Sequence, residues 1–214
     1  KERYDCYGLD VFSYGRSEYA IGTDSEADEA WDQSLDSYIA DCITPELEKL
    51  QENAGSIAAY VTFDEEGSPV NTMCLQWQTD LAQVAERVKQ DASHLKGLIL
   101  ASSKTTFFAG ADLKGVMRST TNDGPRVFAE IEGVKKSFRT LETCGFPVVS
   151  CLNGSALGGG LEVALVGHYR IATQNPKAIF GFPEITLGLI PGAGGITKMT
   201  RILGLVAAQP YILE

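Results

Sequence analysis

The stretch CLNGSALGGGLEVALVGHYRIATQNPKAIFGFPEITLGLIP, residues 151–191, decides how the rest of the chain is read. Three glycines, Gly158, Gly159 and Gly160, stand just before Glu162, and a second carboxylate, Glu184, follows Gly181-Phe182-Pro183. A glycine-rich turn that opens a helix leaves backbone N–H groups without intrahelical partners, and the aligned peptide dipoles add partial positive charge there. With no Cβ in the way, a ligand can approach that main chain closely. Two carboxylates delivered to such a corner can move protons while the backbone holds an oxyanion. Each acid taken alone also fits an ordinary helix start, where an acid complements the dipole and Pro followed by Glu opens the first turn.

Charge divides the chain unevenly. The 214 residues carry a formal charge of −10, and residues 1–55 hold 4 Lys and Arg against 14 Asp and Glu, whereas residues 56–214 hold 14 of each. All the net charge therefore lies in the front quarter, so the overall acidity says little about the ligand of the body but argues against nucleic acid or an anionic membrane surface as partner of the whole, and no nucleic acid is expected on residues 56–214. Five scattered cysteines with no C-x-x-C pair read as reduced thiols of a cytosol-like compartment. His94 and His168 form no cluster with them, so no metal site is expected. No apolar run reaches membrane-spanning length.

Periodicity supplies the elements. A strand is expected over residues 57–63, an amphipathic helix over 75–92 and a buried aliphatic strand over 97–102, a strand–helix–strand crossover unit. Phe107 and Phe108 read as core, and Asp112 as the cap of a short helix. A helix over 125–143 follows the turn signal Asn122-Asp123-Gly124, and strands are expected over 148–152, 169–173 and 178–182, with a last helix over 194–203. His168 reads as a packed or capping histidine. In the front segment, residues 8–19 suggest a hairpin and 25–42 a helix, with the polar join Glu52-Asn53-Ala54-Gly55 behind them.

Three segments, FFAGADLKGV, NGSALGGGLEVA and FGFPEITLGLIPGAGG, together resemble the motifs of the crotonase (enoyl-CoA hydratase/isomerase) superfamily, in that family's order and approximate spacing. Their wording is most similar to the hydratase part of the multifunctional fatty-acid-oxidation enzymes. The resemblance runs over residues 56–214 and leaves 1–55 unaccounted for. It implies an α/β fold, a crotonase-like spiral of ββα units whose C-terminal helices are absent, behind a small acidic N-terminal module.

For activity, the resemblance implies hydration of 2-enoyl-CoA thioesters to 3-hydroxyacyl-CoA in fatty-acid β-oxidation. Glu162 and Glu184 would be the catalytic pair, with the N–H groups of Ala111 and Gly159 as the oxyanion hole. Ala109, Gly110, Asp112, Lys114, Gly158 and Gly160 would meet the substrate and its CoA. Lys114 reads equally as a solvated surface lysine. No cofactor is implied beyond the coenzyme A of the substrate itself. A homo-oligomer or multienzyme partner is implied, in the cytoplasm, or in the mitochondrial matrix of a eukaryote. Two alternatives stay open: a catalytically silent CoA-thioester-binding or assembly fragment, and an enoyl-CoA isomerase, with the acidic module binding a protein partner.

Overall fold

The computed structural model describes residues 57–213 together with two short pieces at the front, β1 (Asp5–Cys6) and β2 (Leu9–Asp10), which pair antiparallel. The helix expected over 25–42 and most of the expected hairpin lie outside the described residues.

The body is a four-stranded parallel sheet. Strands β3 (Ile57–Phe63), β4 (Leu95–Ser102), β5 (Val148–Leu152) and β7 (Tyr169–Ala172) lie side by side in chain order. Parallel neighbours need a crossover, and helices α1 (Leu75–Gln90) and α3 (Gly124–Glu142) supply the first two and pack on each other. Helix α1 begins at an unusual cap, the thiol of Cys74 accepting from the Trp77 N–H at 3.5 Å, and it buries Leu81, Ala85 and Val88 at helical spacing. Helix α3 buries Val134, Phe138 and Leu141 the same way.

Phe107 and Phe108 are wholly buried, as their apolar context predicts. They meet Phe63, and Phe108 also meets Trp77, in edge-on contacts with ring centroids 5.2–5.9 Å apart. Such pairs add about 0.5–1.5 kcal/mol each beyond area burial. This cluster anchors the loop that follows β4 under the corner where the glycines run. Short helix α2 (Leu113–Arg118) continues that loop, capped by Asp112 as expected, its carboxylate accepting from the Lys114 N–H at 3.0 Å.

A second parallel sheet has two strands. Strands β6 (Ala156–Leu157) and β8 (Phe180–Gly181) pair, and a single bridge joins Phe108 to Ala156. The strand expected over 178–182 is two residues long: Ala178 still belongs to a turn with Asn175, and after Phe182 the chain enters a 3₁₀ segment, Pro183–Leu187. Between β6 and β7 lies α4 (Gly159–Ala164), every residue of which is buried.

Helix α5 (Gly195–Leu203) was legible, but α6 (Leu205–Leu213) was not. It carries Pro210 inside it and shows no amphipathic pattern, so its helicity comes from tertiary contact rather than from propensity. The Tyr211 carbonyl accepts the Phe182 N–H at 3.1 Å, which ties α6 to the turn that holds Glu184.

His168 joins two elements, as the sequence suggested. Its Nδ1 accepts from the Val148 N–H at 2.9 Å, which leaves Nε2 to donate to the Glu142 carbonyl at 2.9 Å, at the end of α3. Among the described residues no helix is long and apolar enough to cross a membrane.

Candidate active site

Gly158 is the pivot of the site. Its N–H donates to the Gly181 carbonyl at 2.8 Å, which extends the β6–β8 pairing, and its own carbonyl then receives the N–H groups of Leu161 and Glu162 at 2.9 and 3.1 Å. The chain passes from strand to helix at this one residue, with φ +54° and ψ −125°, a conformation open to glycine. A Cβ built there would lie 2.6 Å from Oε1 of Glu184. The Glu184 carboxyl therefore rests directly against the Gly158 main chain, and the two halves of the quoted stretch meet.

Glu162 comes from the other side of the same corner. It is 2 % exposed, and its Oε1 accepts two backbone N–H bonds, from Ala193 at 2.8 Å and from Gly195 at 2.7 Å. Gly195 is the first residue of α5, so the carboxylate sits at a helix N-terminus whose dipole favours it. Burial nevertheless dominates, lifting the Glu162 pKa to about 7; the two N–H bonds and Lys198 pull it down, while the charge of Glu184 pushes it up. Oε1 takes both of these bonds, and Oε2 takes neither. Glu184 is half-buried, its pKa is raised by desolvation, and its buried Oε2 has no hydrogen-bond partner within the described residues. The charge of Glu184 acts on Glu162 and makes it harder to ionise.

The backbone donors named from the sequence also converge. A Cβ built on Gly159 would lie 3.6 Å from the Ala111 nitrogen, and one on Gly110 would lie 3.6 Å from the Gly159 nitrogen. Gly159 opens α4, so its N–H has no intrahelical acceptor. Gly160 lets α4 lie on the loop from β4: a Cβ there would stand 2.2 Å from the Phe108 carbonyl oxygen. Ala109, by contrast, spends its N–H on the Asn71 carbonyl at 2.9 Å. Lys114 lies on exposed α2 with its side chain in solvent, alongside the exposed Leu113, Val116 and Met117.

Two neighbours escaped the sequence reading. The thioether of Met73 covers Gly159, with Sδ 2.6 Å from where a Cβ would stand, and Met73 bridges Ala111 in parallel fashion. Asn71 is a buried polar residue holding the turn that carries Met73. Only the signal Val70-Asn71-Thr72 between two elements marked it, and that pattern reads as a plain turn.

Comparison with known proteins gives the family of the chain. The model of the enoyl-CoA hydratase/isomerase family matches residues 52–213. Two fatty acid oxidation complex α-subunits are 35 % identical over 164 residues (Shewanella amazonensis) and 37 % identical over 156 (Shewanella halifaxensis), each covering 72 % of this chain. The chain spans 22 % of the length of each of these relatives. An enoyl-CoA hydratase from Bacillus anthracis superposes with a TM-score of 0.64 at 28 % identity, over 72 % of this chain and 58 % of its own. Pseudomonas aeruginosa DspI gives a TM-score of 0.64 at 29 % identity, over 73 % and 61 %. With a family match over three quarters of its length and the parallel sheet and glycine corner described above, the chain belongs to the enoyl-CoA hydratase/isomerase family and has the crotonase-like fold.

Proposed function

We propose that the chain adds water across the double bond of 2-enoyl-CoA thioesters, giving 3-hydroxyacyl-CoA. The observation that carries this reading is the meeting of two desolvated carboxyls, Glu162 and Glu184, at one corner, with the N–H groups of Ala111 and Gly159 beside them.

In this reading the thioester oxygen sits between the Ala111 and Gly159 N–H groups, and a water is held between the free oxygens of the two glutamates. Glu162 takes a proton from the water as its oxygen bonds to C3. The electrons of the C2–C3 double bond move toward C2 and the thioester oxygen, where the two N–H groups stabilise the charge. Glu184 then supplies a proton to C2. Losing one such oxyanion donor typically costs about 2.7–4 kcal/mol of transition-state stabilisation. The CoA portion would run past Gly110, Asp112 and Lys114 on the open side of α2. The names of the α-subunit relatives support a role in fatty-acid oxidation within a complex of subunits.

The test is direct: with crotonyl-CoA and with a long-chain 2-enoyl-CoA, the absorbance of the conjugated thioester should decay in proportion to protein added. A flat trace with both substrates contradicts the activity.

The pH dependence follows from the pair. Hydration needs one carboxylate and one carboxylic acid, the state between the two titration steps. Below about pH 7 Glu162, the base, is protonated and cannot take the proton from water; at higher pH Glu184, the acid, loses the proton it must give to C2. The kcat profile is therefore expected to be bell-shaped, with its acid limb at about pH 7. In Glu184→Gln the charge that raises Glu162 disappears, so the residual limb moves to lower pH. An acid limb that stays put in that variant argues against coupling between the two acids.

The same reading divides the chain after Gly55. The charge break supports it, with all ten net negative charges before that point. Deleting residues 1–55 is expected to leave the main calorimetric transition of the body in place with thioester binding within a few-fold. Loss of that transition would mean that the two parts share one core.

A further inference from the structure

Asn71 stands in the turn between β3 and α1 and has no part in the chemistry described so far. Its side chain is 2 % exposed, and each of its polar atoms is engaged. Oδ1 accepts the Glu65 N–H at 2.9 Å, and Nδ2 lies within donating distance of the Phe63 carbonyl at 3.1 Å, Ser102 Oγ at 2.9 Å and the Phe107 carbonyl at 3.2 Å. One amide thus ties together the end of β3, the end of β4 and the start of the segment that leads to Ala111. Ser102 strengthens that tie, its hydroxyl donating to the Thr106 carbonyl at 2.8 Å.

The main chain around Asn71 grips the same segment further along. The Asn71 carbonyl accepts the Ala109 N–H at 2.9 Å, and the Met73 N–H reaches the Gly110 carbonyl at 2.9 Å. That carbonyl belongs to the peptide whose N–H is the Ala111 donor, so the bond from Met73 orients the donor's own peptide plane. Glu65 closes the turn from outside, its carboxylate accepting both the N–H and the hydroxyl of Thr72, at 2.7 and 2.8 Å. A buried amide is costly unless its hydrogen bonds are all made, and three bonds from this turn, to the Phe107 carbonyl, the Ala109 N–H and the Gly110 carbonyl, reach residues 107–111.

We propose that Asn71 is a positioning residue for the reaction: it holds residues 107–111 so that the Ala111 N–H points at the thioester oxygen. The inference rests on the hydratase reading above and adds to it a residue that touches no reacting atom. A donor displaced by about 1 Å can cost about 10²-fold in rate.

The test uses Asn71→Ala and reads both kinetics and the bound carbonyl. For the second readout, butyryl-CoA labelled with ¹³C at the thioester carbonyl serves as an unreactive probe, and its C=O stretch is compared free and bound. The unsubstituted protein is expected to lower that frequency. Asn71→Ala is expected to lose most of this lowering at saturating probe and about 10²-fold in kcat, with KM within about threefold. A full carbonyl shift retained in Asn71→Ala overturns the proposal, whatever happens to kcat. No shift in the unsubstituted protein overturns the oxyanion reading itself, and the positioning role with it. If Asn71→Ala does not fold, Ser102→Ala removes one of the groups that Nδ2 bonds. Part of the shift and part of kcat should then be lost, and an unchanged shift with unchanged kcat in Ser102→Ala overturns the proposal.

Discussion

Glu162→Gln and Glu184→Gln are each expected to lose about 10²- to 10⁴-fold in hydration rate while binding of the thioester stays within a few-fold. The amide keeps the size of the carboxyl and its acceptor oxygen. In Glu162→Gln the side-chain oxygen can still receive the Ala193 and Gly195 N–H groups, so the loop before α5 keeps its place. What is lost is only the ability to take a proton from water. Stability gives an independent check on the same variant. Because the folded pKa of Glu162 is raised, its ionisation destabilises the folded chain, and the penalty grows as pH rises from the unfolded value of 4.5 through about 7. Above pH 7 the Gln variant is therefore expected to be at least as stable as the parent, and near pH 4.5 the difference should vanish. Near-parental turnover in both single variants would remove the two-carboxylate mechanism.

Gly158→Ala is expected to cost about 10²-fold in kcat although no ionisable group changes. Two effects combine at this residue. The backbone sits at φ +54° with ψ −125°, which a residue with a Cβ adopts only under strain of about 1–3 kcal/mol. The new methyl would also stand 2.6 Å from Glu184 Oε1, so the carboxyl must swing away. A carboxyl at the end of a flexible side chain can move, and the fold should survive with a lowered melting temperature. The displaced Glu184 would no longer reach C2. Circular dichroism of the parental shape together with parental kcat would show that Glu184 does not work from the place where it rests against Gly158.

The parts of the site carried by glycine and by paired motifs were open to reading from sequence. Gly158-Gly159-Gly160 before Glu162 requires a close-approach corner, and Phe107-Phe108 requires a buried anchor beneath it; both are where the residue types demand. The grip on Glu162 by Ala193 and Gly195 was not legible, because main-chain donors leave no mark in side-chain identity. Asn71 was hidden for a related reason. A turn asparagine and a buried asparagine with four partners look alike until the ends of two strands are brought together around it. Met73 could not be found from periodicity, since its contact with Gly159 depends on a one-residue bridge to Ala111. Helix α6 carries Pro210 in its interior, against local propensity, and packs on α5 and on the Glu184 turn.

The central claim is that this corner adds water and does so with two separate proton transfers. Incubation with crotonyl-CoA in deuterated water enriched in ¹⁸O, followed by mass spectrometry of the product, tests it most directly. The account predicts 3-hydroxybutyryl-CoA carrying one ¹⁸O at C3 and one deuterium at C2. Recovery of crotonyl-CoA unchanged, or of a rearranged enoyl-CoA with deuterium on carbon and no ¹⁸O at C3, would contradict it.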